Sequence, residues 1–135
     1  MTHSSLPPGS IVLPPEQGRA YEMGFMRAVF KADGAETDDR YSVSEWWMEP
    51  RNTSPGAHHH EDNDEVFYVL EGTASILIGH EWVDLGKGSF IRIPAGVTHD
   101  FENRTDARMG LLNFFIPGGF EEKMPAIVDW FERNR

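Results

Sequence analysis

Cysteine is absent from this 135-residue chain, and basic residues are few. Without cysteine there can be no disulfide framework and no thiolate metal site, so any metal must be held by nitrogen and oxygen ligands. The 12 Lys and Arg residues are outnumbered by 22 Asp and Glu residues, which gives a formal charge of −10. Because phosphate groups bind to clustered basic side chains, we expect neither a nucleic acid partner nor binding to an anionic membrane surface.

Long apolar segments are also missing. No apolar run approaches the roughly 20 residues that a membrane span requires. The opening MTHSSLPPGS lacks the basic start and the apolar segment of a secretory signal. We therefore predict a cytoplasmic protein that does not associate with membranes. The length suits a single domain, and the 39% of hydrophobic residues is enough for a packed core.

Proline and glycine divide the chain into parts. Four of the nine prolines lie within residues 1–18, which predicts an irregular N-terminal arm, because proline fixes φ and lacks a hydrogen-bond donor. Residues 19–117 alternate short segments rich in β-branched and aromatic residues with glycine-containing turns, and this pattern predicts an all-β sandwich or barrel. Ile78-Gly79-His80-Glu81 is predicted to be a tight hairpin turn. The predicted strands include MRAVFK, YSVSEWWM, EVFYVLEG, TASILIG, EWVDLG, GSFIRIP and MGLLNFFIP.

Residues 118–135 follow a different pattern. Apolar residues recur near the helical period of 3.6, which predicts a short helical tail with one face packed on the barrel. Pro125 lies within this segment, so two short helical pieces are an alternative to one helix. The apolar positions are Phe120, Met124, Ile127, Val128 and Phe131.

Three consecutive histidines precede an acidic turn and a predicted strand in the stretch HHHEDNDEVFYVLEG. Because side chains alternate faces along an extended chain, His58 and His60 point one way and His59 the other. Two imidazoles on one face can bind a single ion. Glu65 opens the next strand, and a carboxylate beside two imidazoles makes a mixed ligand set that suits Fe, Mn, Ni, Co or Zn. The remaining acids are interpreted as a solvated turn.

A second stretch with a histidine, GSFIRIPAGVTHDFEN, occupies residues 88–103. Pro94 and Gly96 form a sharp, stiff bend just before His99. We expect this bend to direct the His99 side chain toward the interior of the barrel.

Together the two stretches resemble the motifs of the cupin family. The first has the HxH pair, then four residues to Glu65 and six more to Gly72; it departs from the family pattern at Asn52, where a glycine is usual. Asparagine also tolerates a left-handed backbone, so the departure affects only the turn before the histidines. The second matches in full, as Gly88, Pro94, Gly96, His99 and Asn103 at the family spacing. The match covers roughly residues 41–117, and its combined spacing is specific.

The resemblance implies a double-stranded β-helix, the jelly-roll-like cupin barrel, followed by the short helical tail. It also implies one divalent transition metal inside the barrel, held by His58, His60, Glu65 and His99. Four protein ligands leave one or two coordination positions open, which is typical of catalytic rather than structural sites. Glu65 is also the candidate catalytic base.

Four apolar residues are candidates for a substrate pocket around the metal, and equally for ordinary packing of a small barrel interior. They are Phe67, Val69, Phe101 and Phe115. Resemblance to the quercetin dioxygenase type of small cupin favours an oxygenase that acts on a small organic molecule. Two alternatives stay open: a non-redox isomerase, decarboxylase or lyase, and a cupin that binds a small molecule without catalysis.

Two tryptophans stand side by side in the predicted strand YSVSEWWM. Because neighbouring side chains point to opposite faces, at most one of Trp46 and Trp47 faces inward. Together with the proline-rich arm, the WWM segment favours a symmetric homodimer.

Overall fold

The computed structural model describes residues 5–52 and 60–134, so His58 and His59 lie outside the described residues. Within this part the chain forms nine strands, one short 3-10 turn before β3, and a C-terminal helical tail. The strands are β1 (Arg19–Met23), β2 (Met26–Ala32), β3 (Ser42–Met48), β4 (Asp64–Glu71), β5 (Thr73–Ile78), β6 (Glu81–Gly86), β7 (Phe90–Ile93), β8 (His99–Glu102) and β9 (Met109–Ile116).

The strands form two antiparallel sheets. One has six strands in the order β1-β2-β3-β9-β4-β7, and the other has three strands in the order β6-β5-β8. Strands distant in sequence are neighbours in the sheet, as where β9 lies between β3 and β4. The predicted all-β, jelly-roll-like architecture is confirmed.

Strand β3 illustrates how the sequence selects the buried face. Its buried and half-exposed positions alternate along the whole strand, as expected for a sheet with one face toward the core. Trp46 is buried, whereas Trp47 lies on the outer face and is only partly covered. The prediction that only one of the two tryptophans faces inward is therefore confirmed.

The core lies between the two sheets. Phe67 of β4, Ile76 of β5 and Leu111 of β9 are fully buried there. Burying an aliphatic or aromatic side chain of this size stabilises the fold by about 1.5–3 kcal/mol. Trp46 makes edge-to-face contacts with Phe30 and Phe101, with ring centroids 6.3 and 6.2 Å apart, and so links strands of both sheets.

The hairpin between β5 and β6 has the predicted form. Strand β5 ends at Ile78, β6 begins at Glu81, and these two residues pair across the turn. Gly79 has φ +66°, a left-handed conformation that glycine adopts without steric cost. His80, at the tip, is exposed.

The C-terminal tail, residues 118–134, consists of a 3-10 turn (Phe120–Lys123) followed by helix α1 (Met124–Arg133). Pro125 lies in the first turn of α1, where its missing N–H costs nothing. The carboxylate of Glu121 accepts hydrogen bonds from the Gly34 N–H at 3.0 Å and the Ser42 hydroxyl at 2.7 Å. Met124 is fully buried against the barrel. The predicted short C-terminal helical segment is confirmed, and Pro125 lies at the start of helix α1 without dividing it.

The chain before the barrel is mostly irregular. Residues 5–18 contain no strand or helix and are exposed. Strand β1, which begins at Arg19, was not predicted from sequence. It lies at the edge of the six-stranded sheet and four of its five residues are exposed or half-exposed, so it lacks an alternating apolar pattern. Among the described residues, no helix has the length and apolar character to cross a bilayer.

Candidate metal centre and its cavity

Strand β4 carries Glu65 into the barrel. Glu65, Phe67 and Val69 alternate with outward-facing residues, and all three are buried. Glu65 pairs with Phe115 of β9 on one side and Ile93 of β7 on the other. Its side chain is 4% exposed, which is rare for a carboxylate without partners.

His99 enters the same space from the other sheet. It is the first residue of β8, directly after the turn that contains Gly96 with φ +84°. The His99 side chain is 2% exposed, and its Nδ1 hydrogen-bonds the Val97 carbonyl oxygen at 3.0 Å. This bond fixes the ring so that Nε2 faces Glu65.

The two sequence motifs are joined directly. The Gly96 N–H donates a hydrogen bond to the His60 carbonyl oxygen at 2.8 Å. The bend before His99 therefore also holds the backbone of His60. A turn that sequence analysis interpreted as a device for aiming one histidine in fact positions two.

Three of the four predicted ligands converge at this point. The Oε2 atom of Glu65 lies 2.5 Å from His99 Nε2 and 3.7 Å from His60 Nε2. One donor atom from each residue lies within 4.8 Å of the others, a separation that a single bound ion can span. Two imidazoles and a carboxylate, all at least half-buried, fit a first-row divalent metal. The fourth predicted ligand, His58, lies outside the described residues.

A proton competes with metal for this site. Burial alone would lower the pKa of His99, but the hydrogen bond and charge of Glu65 outweigh burial and raise the pKa above its ordinary value. The nitrogen that faces Glu65 must lose its proton to ligate a metal. The same geometry thus stabilises a proton when metal is absent and offers a lone pair when metal binds.

Asn113 orients the Glu65 carboxylate. Its Nδ2 donates to Glu65 Oε1 at 3.0 Å, which leaves Oε2 directed at the two histidines. Behind it, the Ser44 hydroxyl donates to Asn113 Oδ1 at 3.5 Å, and the Trp46 indole N–H donates to Ser44 Oγ at 2.9 Å. Such support fixes the orientation of a ligating carboxylate.

Sequence analysis missed Asn113. The residue is fully buried in β9 and shares a face with Leu111 and Phe115. A polar residue at an inward position of an otherwise apolar strand was the available signal, because a buried amide needs hydrogen-bond partners. The sequence does not identify those partners.

A cavity of about 410 Å³ lies beside the three converging side chains. His60 and Glu65 line it together with barrel residues Met26, Trp46, Phe67, Phe101 and Phe115. Three of the four predicted pocket residues therefore lie on its wall. Val69 is not among the lining residues and is fully buried in the core instead.

The tail supplies the rest of the cavity wall. Its lining residues are Phe120, Lys123, Ile127, Trp130 and Phe131. Phe120 stacks on Phe115 with ring centroids 4.2 Å apart and touches His60 edge-on at 5.5 Å. The helical period predicted that one tail face packs on the barrel, but not that this face borders the candidate metal centre.

Asn52, which stands where the family pattern has glycine, pairs with a distant part of the chain. Asn52 pairs with Asn103 across an isolated β-bridge. The residue with a left-handed backbone is Arg51, with φ +57°, rather than Asn52. The Asn103 side chain donates to the backbone oxygens of Ala107 and Glu49 at 2.8 and 3.1 Å. Asn103 therefore stabilises a turn and lies apart from the cavity lining.

The chain belongs to the cupin family. The family model described as a cupin domain matches residues 45–115, which run from within β3 to within β9 and contain all four predicted metal ligands. The sequence resemblance stated from the two motifs is thereby confirmed.

Known proteins resemble parts of this chain. An uncharacterized protein of Streptomyces coelicolor is 37% identical over 54 residues, which are 40% of this chain and 51% of that protein. Quercetin 2,3-dioxygenase of Bacillus subtilis is 30% identical over 76 residues, 56% of this chain and 22% of the enzyme. The chain thus covers about half or less of these curated relatives. The structure of KdgF from Halomonas sp. has a TM-score of 0.71 at 16% identity, over 84% of this chain and 97% of that one, and supports the fold.

Proposed function

We propose that this protein is a metal-dependent cupin enzyme that acts on a small organic molecule, as an oxygenase of the quercetin dioxygenase-like type. The observation that carries the proposal is the convergence of His60, Glu65 and His99, of which His60 and Glu65 line a cavity large enough for a small organic molecule. The partial similarity to quercetin 2,3-dioxygenase supports the oxygenase class.

The proposed ligands are His60, Glu65, His99 and, from the motif, His58. A redox-active divalent metal such as Fe or Mn supplies Lewis acidity and electron transfer to this site when it is bound. The protein holds the ligating nitrogen of His99 in place through the Val97 carbonyl and holds Glu65 through Asn113. Glu65 and His99 are therefore oriented before any metal enters.

Glu65 is also the proposed base. Asn113 occupies its Oε1, so Oε2, once its ligation of the metal loosens, is the atom that would accept a proton from a substrate hydroxyl. The neighbouring cavity wall is mostly aromatic and aliphatic, and it excludes water from the carboxylate. A dry environment strengthens the electrostatic effect of each charged group on a bound substrate.

Oxygen consumption tests the oxygenase. Fe- or Mn-loaded protein is supplied with flavonol or catechol substrates, and O₂ uptake is followed with an electrode. We expect uptake that depends on both metal and substrate and that disappears in Glu65→Gln. Substrate binding without O₂ uptake under every metal tested would contradict the oxygenase.

A non-redox isomerase, decarboxylase or lyase is the second candidate. The contact between Glu65 and His99 supports it, because a carboxylate beside an imidazole of raised pKa can transfer protons without electron transfer. Substrate turnover under nitrogen would favour this class over the oxygenase. Binding without turnover in air or nitrogen would instead favour a non-catalytic binding protein.

The proposed role of His58 as a metal ligand can be tested by comparison with His59. Sequence parity predicts that His58 shares the inward face with His60 and that His59 does not. We expect His58→Ala to bind metal at least tenfold more weakly, while His59→Ala binds as the wild type does. Equal losses in both variants, measured by calorimetric titration, would contradict the parity assignment.

We further propose a homodimer formed by the outer face of the six-stranded sheet. Phe90 is 67% exposed and pairs in register with Tyr68, which is also exposed. Leu112, on the other side of Tyr68, extends the apolar surface. Light scattering checks the mass, and Phe90→Glu is expected to give a monomer.

A further inference from the structure

The cavity beside the candidate metal centre is unusual in the composition of its wall. Seven of its twelve lining residues are phenylalanine or tryptophan, drawn from both the barrel and the tail. Aromatic walls favour flat, aromatic ligands, since offset or edge-to-face ring pairs contribute beyond their buried area. The lining is therefore selective for shape and ring character rather than for polar groups.

One positive charge stands in this aromatic wall. Among the described residues that line the cavity, Lys123 is the sole lysine or arginine. Its Nζ lies 5.7 Å from the centre of the Phe120 ring, a cation–π distance. Within the described part of the chain, no carboxylate forms an ion pair with Lys123. The ammonium is thus held over the wall and is available to an anion.

The position of Lys123 relative to the metal centre follows from the 3-10 turn. Phe120 opens the turn and Lys123 closes it, and residues three apart lie on the same side of a 3-10 helix. Phe120 itself contacts His60 edge-on, with ring centroids 5.5 Å apart. One aromatic ring therefore separates a candidate metal ligand from the ammonium group.

The negative net charge of the chain bears on what Lys123 can contribute to ligand binding. The chain carries a formal charge of −10, so its overall field repels small anions. Glu65, the acidic residue of the cavity lining, is already engaged by Asn113 and His99. Lys123 is thus the local feature that can overcome the repulsion for an anionic group placed at the mouth of the cavity.

We propose that the cavity binds an aromatic carboxylate, with its ring against the aromatic wall and its carboxylate at Lys123. The proposal rests on the proposed function in that the part of the ligand opposite the carboxylate lies toward His60 and Glu65. The tail thereby selects the substrate, and the barrel strands hold the reactive end.

Calorimetric titration with three matched probes tests the proposal. The probes are 2-naphthoate, its neutral analogue 2-naphthamide, and the saturated acid decahydronaphthalene-2-carboxylate. We expect 2-naphthoate to bind about fivefold more tightly than the amide, as a partly exposed ion pair allows. We expect it to bind about threefold to tenfold more tightly than the saturated acid, because only the aromatic probe gains ring contacts.

Lys123 variants isolate the charge. Lys123→Met keeps the aliphatic stem and should reduce 2-naphthoate affinity to that of the amide, whereas amide affinity should not change. Lys123→Arg should retain the preference, and Lys87→Met, which alters an exposed lysine outside the cavity lining, should have no effect. An unchanged preference for 2-naphthoate in Lys123→Met would overturn the assignment, as would failure of 2-naphthoate to bind the wild type.

The titrations are run on metal-loaded protein and repeated after chelation. A preference that depends on Lys123 in both states supports the aromatic carboxylate, whatever the catalytic result. If the preference holds but no turnover is found, the proposed enzyme fails and the binding proposal stands. If 2-naphthoate binds only with metal present and independently of Lys123, the carboxylate binds at the metal, and the proposal is wrong.

Discussion

The two halves of the cavity wall are built by different physical means. The barrel half presents Glu65 from a strand, in contact with His99, and both side chains are nearly inaccessible to solvent. A chain of hydrogen bonds through Asn113 lies behind the carboxylate. The tail half presents Phe120 and Lys123 from a 3-10 turn that is partly exposed. Buried polar groups in the barrel tolerate little displacement, because each lost hydrogen bond leaves a buried polar atom without a partner, and this destabilises the fold. Substitutions in the exposed tail should cost less stability, so the proposed metal site and the proposed ligand selectivity can be tested separately.

Ligand loss in the barrel half should have the largest effect. We expect His99→Ala and Glu65→Gln to reduce bound metal from about one equivalent to a small fraction, because each removes one donor from the converging set. Elemental analysis of the purified variants measures the metal. His80→Ala, at an exposed hairpin tip, serves as control and should keep full metal content. Stoichiometric metal in His99→Ala would refute the site.

Removal of the Asn113 amide should have the next largest effect. Asn113→Leu keeps similar volume but cannot donate to Glu65 Oε1, so the carboxylate loses its fixed orientation. We expect metal affinity to fall about 10–100-fold, as for other groups that support a metal ligand. Competition with a chelator of known affinity measures the change. Asn134→Leu, near the end of the tail, is the control, and an equal loss there would contradict a specific role for Asn113.

A substitution in the tail should show whether the tail half of the cavity wall contributes to metal binding. Phe120→Ala removes the ring that stacks on Phe115 and should destabilise the fold by about 1–2 kcal/mol, the range for losing a half-buried aromatic contact. Because none of the proposed ligands is altered, metal content should remain near one equivalent. Denaturant unfolding and elemental analysis on the same preparation test this. Loss of metal together with the ring would show that the tail also holds the site.

The smallest effect is the pH response of the metal-free protein. The folded-state pKa of His99 is raised above the ordinary value of 6.5. The stabilisation from its protonated form is therefore fully present below about pH 6.5 and is lost as pH rises through the folded pKa. We expect the melting temperature of metal-free protein to fall over this window, and His99→Gln to remove that fall.

Bound metal should reverse the change of the melting temperature with pH. Binding requires a neutral imidazole, so the stability gained at fixed metal concentration increases with pH over the same window. Differential scanning calorimetry with and without added Zn²⁺ compares the two slopes. Parallel slopes would indicate that the proton and the metal do not compete for His99.

Sequence patterns predicted the barrel and much of its site. Glu65 could be assigned to the inward face because strand parity is strict, and the Pro94–Gly96 bend fixed the direction of His99. Val69 shows where parity is insufficient, since an inward-facing residue can lie in the solid core rather than on a cavity wall. Strand β1 was missed because an exposed edge strand carries no alternating pattern.

The sequence by itself determined the all-β architecture and, through the resemblance to cupins, indicated the metal-ligand set proposed here, since side-chain alternation, turn residues and motif spacing are local properties. Tertiary structure alone decided which groups support Glu65 and which close the cavity. Asn113 reaches the carboxylate because β9 lies between β3 and β4, and Lys123 reaches the cavity because the tail docks beside His60. These partners are far apart along the chain, and their contacts depend on a sheet order and a docking position that no local pattern encodes.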